Sequence, residues 1–353
     1  MTLFGADAYT SKSTINCQPA FLTRHQPPFK QIFLNSKSLI AGCFIALLAL
    51  SKPGLADDYA YITNQGSHDV SVVNLGKNEV VATIAVGKGP VGVAVSRQIQ
   101  RVFISNVESQ SISVIDSLNN VVMDEIQLSG SPVAVTISPD GKTLYVADWY
   151  LDSVIAINTQ DFKQQRKVSI GKAPAGLAIS PDGKTLYVSN RDSDNIGVID
   201  TQSMTVTSRI PVGAHPFGIS ISPDGQRLYA VNVYEDSVSV IELANGQSHK
   251  IQVGKRPYCA AISPDSKTLF VTNTQDDSVS VIDAASGKVI ATVATGGFPE
   301  GIDFDMVSQR VYVASWSEDS VTVIDANTYK VVDSIKTGQQ SRAFGRFILN
   351  AGH

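Results

Sequence analysis

The chain repeats itself every 42 residues. Aligned aromatics fall at Tyr61, Phe103, Tyr145, Tyr187, Tyr229, Phe270 and Tyr312, with one step of 41, and prolines keep the same beat at Pro90, Pro132, Pro174, Pro216, Pro257 and Pro299. Units of that period cannot bury their apolar surface alone and must stack on their neighbours. Residues 57–353 hold seven copies. A length of 353 residues, which otherwise suggests two or three domains, is therefore expected to contain one closed array.

Within each copy the apolar residues alternate or run in short bursts bounded by turn residues, which predicts strands and not helices. Around residue 200 the text reads as an innermost strand like "PFGISIS", then "TLYVSN", "NIGVID" and "TVTSRIPVG". The connection "SPDGK", at Ser138 to Lys142 and Ser180 to Lys184, sets Pro where φ must be near −65° and Gly where φ must be positive, so it reads as a tight hairpin. Four short antiparallel strands at this period predict an all-β fold, a seven-bladed β-propeller of four-stranded blades. Small residues such as Gly92, Gly176 and Gly218 suit the innermost strand, where blades converge.

The phase of the repeat makes a further prediction. The array begins with a second strand, "YAYITN", and ends with "RAFGRFIL", which matches a first strand such as "HPFGISI". The C-terminal segment is therefore expected to supply the innermost strand of the blade whose other three strands are N-terminal, closing the ring and removing its open edges. The motifs "LYVSN", "FVTN", "YITN", "SVSVID" and "SPDGKTLYV" resemble the YVTN β-propeller repeat proteins of bacteria and archaea, across essentially all of residues 57–353. That resemblance implies the fold and leaves the function open, since such propellers serve as surface-layer components, periplasmic proteins and domains beside quinone, haem or copper centres.

Residues 1–56 read differently. Lys30 and Lys37 precede the apolar run "SLIAGCFIALLAL" from Ser38 to Leu50, followed by small residues at Gly54 and Ala56. This is the pattern of a secretory signal peptide cleaved after Ala56, with a run too short to span a bilayer comfortably. "LIAGC" resembles a lipoprotein acylation box, but the apolar run continues past Cys43 where such a box would close it. Removing the leader implies a periplasmic or secreted protein without stable membrane insertion. The remaining chain carries a net charge of roughly −8, which argues against nucleic-acid binding because that needs basic surface. Only Cys259 remains in it, so no internal disulfide is expected.

Residues that recur are expected to be scaffold. The Asp of "DSV" at Asp69, Asp152, Asp236, Asp277 and Asp319, with Asp194 nearby, reads as a turn former bonding nearby backbone N–H groups. The Asn at Asn64, Asn106, Asn190, Asn232 and Asn273 reads the same way. The irregular residues fall in two loop types that open on one face. The loops entering each innermost strand carry Lys88, Lys172, His215, Lys255, Arg256, Glu300 and Arg342, and Tyr258 and Cys259 begin an innermost strand where other copies have small residues. The loops between second and third strands carry His68, Trp149, Tyr150, Arg191, Tyr234 and Trp316.

Cations near the axis with aromatics around them suit an anionic or planar ligand, or the acidic loop of a partner. The competing reading pairs those cations with the recurring acids. Candidates for a ligand or partner site are His215, Arg256, Tyr258, Arg342, Lys88, Lys255, Glu300, Trp149 and Trp316. No catalytic constellation, cofactor motif or metal-ligand spacing is present, and two aspartates in "RDSDN" are explained by the turn. The expected function is a non-catalytic binding scaffold for a protein, an envelope polymer or a small anion. Two alternatives are a propeller-fold hydrolase or lyase with His215 as base, or an accessory subunit of a periplasmic redox enzyme. A third is a structural envelope component.

Overall fold

The computed structural model describes residues 58–350; the leader and its cleavage position fall outside them. Seven sheets of four antiparallel strands each are arranged as the repeat predicts, one of them joined by a fifth, parallel strand. The fourth blade is typical: Pro174–Ile179 lies innermost, followed outward by Thr185–Asn190, Asn195–Asp200 and Thr205–Pro211. Apart from a 3-10 turn at Arg191–Ser193, every element among the described residues is a strand.

Second strands are buried on both faces, and the recurring aromatics lie there at 0–8 % exposure. Their role is to join blades. The Tyr61 hydroxyl donates to Asn120 Oδ1 at 3.0 Å in the second blade, and Tyr312 donates to Asn78 Oδ1 at 3.0 Å in the first. The Ser or Thr before the recurring Asn acts in the same way: Thr63 donates to the Val91 carbonyl (2.9 Å), Ser105 to Val133 (2.8 Å) and Thr272 to Glu300 (3.1 Å), each in the next blade. Innermost strands approach backbone to backbone, which explains the small residues there. A Cβ on Gly218 would stand 2.4 Å from the Tyr258 carbonyl oxygen.

The single 41-residue step has a local cause. In six outermost strands one extra residue bulges out of register, as Ile290 does between Val289 and Ala291. The fifth blade's outer strand, Ser248–Gln252, pairs without a bulge and so lacks that one extra residue.

Ring closure follows the prediction in outline and departs from it in detail. Ile348–Leu349 pairs antiparallel with Tyr59–Asn64, the Arg342 N–H donates to the Thr63 carbonyl (2.9 Å) and the Tyr61 N–H to that of Phe347 (2.9 Å). Between these contacts, however, Phe344–Arg346 leans across to run parallel with the second blade's innermost strand, Pro90–Ser96. Asp303 of the seventh blade pins the segment: its Oδ2 accepts the Phe347 and Ile348 N–H groups, each at 2.9 Å.

Candidate functional site

The loops entering the innermost strands are held by a strap at fixed spacing. The residue before the repeating proline has positive φ at Gly89, Ala173, His215, Arg256 and Phe298. Its N–H donates to an Asp 21 or 20 positions earlier: Ala173 to Asp152 (2.9 Å), His215 to Asp194 (2.8 Å), Arg256 to Asp236 (2.8 Å) and Phe298 to Asp277 (2.9 Å). The recurring Asp is thus scaffold as expected, but it ties one loop to another rather than closing its own turn. In the first blade the strap is His68, whose Nδ1 accepts the Gly89 N–H at 3.2 Å. Asp69 stands one position later and accepts from Asn64 Nδ2 instead.

With the loops fixed, the residue after each proline projects around the axis. In blade order this column reads Val91, Val133, Ala175, Phe217, Tyr258, Glu300 and, at the closing segment, Arg342. The first four belong to one buried apolar cluster together with Phe344. Phe344 is 6 % exposed and meets Phe217 with ring centroids 5.0 Å apart, so the closing segment fills the axis beneath the loops. Phe217 stacks on Tyr258 (4.2 Å) and leans on Trp149 (5.9 Å).

The polar half of the column satisfies itself. Arg342 binds Glu300 through two nitrogens, Nε to Oε2 and NH2 to Oε1 at 2.9 Å; NH1 donates to Gln65 Oε1 at 2.9 Å and NH2 to the Tyr258 hydroxyl at 3.3 Å. Burial alone would lower the Arg342 pKa, and the Glu300 carboxylate more than offsets it, raising it. Burial pushes the Tyr258 hydroxyl up, with Glu300 adding to the effect. Cys259 is likewise raised by burial, leaving a neutral thiol of low nucleophilicity.

Above this floor stands a second group. His215 stacks on the Tyr234 ring at 4.0 Å, and the Arg256 guanidinium lies 4.2 Å from the same centroid. Arg191 covers Trp149 at 5.1 Å and pairs with Asp192 at 3.1 Å; His215 Nε2 is 3.7 Å from the same Asp192 oxygen. His215 Nδ1 and Arg256 NH1 are buried without a hydrogen-bond partner. Both carboxylates of "RDSDN" are engaged, Asp192 here and Asp194 in its strap.

Of the predicted residues, then, Tyr258, Glu300 and Arg342 form one network, and His215 and Arg256 another, with Trp149 bordering both. Lys88 and Lys255 are exposed at the rim with no side-chain ion pair among the described residues. Trp316 packs edge-on to Phe298 on the seventh blade (6.3 Å), outside both groups. Sequence reasoning missed Phe217, Phe344 and Gln65. Reading the column after each proline in register would have found Phe217, because it holds small apolar residues in three of the preceding copies.

A family model described as "Lactonase, 7-bladed beta-propeller" matches residues 119–208 and 158–259, less than half of the chain. Among solved structures, a chain of Kuenenia stuttgartiensis hydrazine synthase is similar at 26 % identity and a TM-score of 0.69, covering 75 % of this chain and 91 % of that one. A functionally unknown protein from Desulfotomaculum acetoxidans DSM 771 is similar at 16 % identity and a TM-score of 0.70, covering 81 % and 99 %. No curated protein matches the chain. These likenesses agree with the seven-bladed propeller seen in the sheet order.

Proposed function

We propose that this chain is an exported, non-catalytic binding propeller, with YVTN-type repeats as its scaffold, and that its loop-bearing face docks an acidic segment of a partner protein. One observation carries the reading. Two guanidinium groups, Arg256 on Tyr234 and Arg191 on Trp149, are held in place by aromatic rings, and Arg256 forms no ion pair among the described residues. Tyr150 and Tyr234 stand beside them at 78 % and 52 % exposure. Trp, Tyr and Arg in such arrangements dominate binding energy at protein interfaces. Because Phe344 fills the axis below, a broad partner surface fits this face better than a small molecule threaded into a channel.

The test is capture of proteins from the exported fraction by the unmodified chain and by Tyr234→Ala with Arg256→Ala. A loss of affinity of about 30-fold with unchanged melting temperature is expected. Equal capture by both chains would move the site elsewhere. A second reading, a subunit of a redox enzyme assembly, is favoured by the 26 % identity to the hydrazine synthase chain over 91 % of its length; co-purification of a chromophore-bearing partner on this face would support it. The hydrolase reading has support from the partial lactonase match and places His215 beside Asp192 as a base. Absence of lactone hydrolysis in the unmodified chain would remove this reading, and hydrolysis that survives His215→Ala would remove His215 as its base.

A further inference from the structure

The loop entering the second blade is strapped by a different chemistry from its neighbours around the ring. In five loops the acceptor is a carboxylate: Asp152, Asp194, Asp236, Asp277 and Asp319, the last accepting the Gln340 N–H at 2.7 Å. In the loop at 86–90 it is His68 Nδ1, which accepts the Gly89 N–H at 3.2 Å. An imidazole nitrogen accepts a hydrogen bond only while it carries no proton. Aspartate ordinarily stays ionised between about pH 5 and 8, whereas histidine ordinarily changes charge within that range. Acid therefore acts on the His68 strap and leaves the five aspartate straps alone.

The surroundings of His68 fit a latch. Its carbonyl also accepts the Val86 N–H at 3.2 Å, so His68 ties the loop to the first blade at two points. The residue it straps is Gly89, at φ +64°, where the aspartates strap Ala173, His215, Arg256, Phe298 and Gln340. Glycine has the widest choice of backbone conformations, so its placement depends most on the strap. Four charged groups surround this point. Asp69 follows His68 in the chain and accepts from Asn64; Lys88 lies on the strapped loop; Glu108, in the facing loop of the second blade, packs so closely that a Cβ on Gly89 would stand 2.8 Å from its Cγ; and Arg342, bound to Gln65, is already paired with Glu300. The facing turn of the closing segment, where Gln339 and Gln340 accept from Gly66 and Gln65, carries no charge. Asp69 and Glu108 form no ion pair among the described residues. A protonated imidazole thus loses the Gly89 bond and gains two carboxylates to turn toward.

We infer that His68 is a pH-sensitive latch, which holds the loop entering the second blade when its Nδ1 is unprotonated and releases that loop on protonation. Lys88 is exposed on this loop at the rim of the loop-bearing face, so acid frees one cation there and adds another at His68. The test is amide hydrogen exchange on the whole chain, read by mass spectrometry at Gly89 and, as an internal control, at Ala173. Protection is expressed against the unfolded exchange rate at each pH. Between pH 8 and pH 5 the protection of Gly89 should fall about fivefold, the worth of one hydrogen bond, while Ala173 on its Asp152 strap keeps its own. His68→Asp and His68→Asn each supply an oxygen acceptor that needs no deprotonation in this range, and both should keep Gly89 protected at pH 5. Protection of Gly89 that is equal at the two pH values, that falls as far in His68→Asp, or that falls in step with Ala173 would each overturn the inference.

Discussion

Removing Arg342 gives the sharpest test of how the axis is held. In sequence Arg342 stands out as a cation free to meet a ligand. In the fold its side chain is 20 % exposed and that of Glu300 11 %, and the two form a bidentate pair that Gln65 and Tyr258 complete. Arg342→Ala would leave Glu300 buried without its counter-charge, which typically costs about 3–5 kcal/mol. Residual exposure places this pair near the lower end, about 3 kcal/mol. For a propeller of this size that lowers the melting temperature by about 5 °C. Replacing both partners, Arg342→Met with Glu300→Leu, removes the stranded charge and should recover most of the loss. Calorimetry on the single and double variants reads both numbers. A single variant that melts within 1 °C of the parent, or a double variant as unstable as the single, would refute the view that this pair is structural.

Other consequences concern closure and pH. Asp303→Ala strands two buried N–H groups, those of Phe347 and Ile348, and should cost about 2–4 kcal/mol in denaturant unfolding; Asp303→Asn, which keeps an acceptor without a buried charge, should cost less. Truncation before Ala343 removes Phe344, Phe347 and the pairing with Tyr59–Asn64 and should abolish a single cooperative melt, so a shortened chain with unchanged melting would sink the closure scheme. The "SPD" turn aspartates Asp140, Asp182, Asp224 and Asp265 are held below the usual carboxylate range, first by the neighbouring serine hydroxyl. Their contribution is complete above the unfolded value of 3.8 and is lost as pH falls through their folded values. Burial raises Asp303 instead, so its carboxylate opposes folding as pH rises above 3.8; melting curves between about pH 2 and 6 should show Asp303→Asn gaining on the parent toward the upper end. Finally, Cys259, buried and raised, should resist thiol labelling in the native chain and react on unfolding.

Much of the scaffold was legible because a repeated residue makes the same kind of contact in several blades. Periodicity reveals such a residue even when its partner is unknown, as with the strap aspartates. What it concealed was the partner: Asp152 bonds Ala173 in the next loop, not its own turn. His68 stood out as an aromatic outlier for the same reason, although its Nδ1 does the work of that Asp in the first blade. The outliers Tyr258, Glu300 and Arg342 were legible as a group because polar residues are rare at the start of an innermost strand. Phe217 and Phe344 were not, since an aromatic in an apolar strand has the appearance of ordinary core.

The sequence by itself determined the number of blades, the strand order within each and the meeting of the two ends, because alternation, turn residues and a 42-residue period act over short range and leave one consistent stacking. Only the tertiary structure decided which charges remain available. Arg342 and Glu300, 42 residues apart, neutralise each other, whereas Arg256, at a positive φ and stacked on Tyr234, forms no ion pair among the described residues. Electrostatic pairing depends on distance in space, and the closing of a ring brings together residues that no local pattern relates.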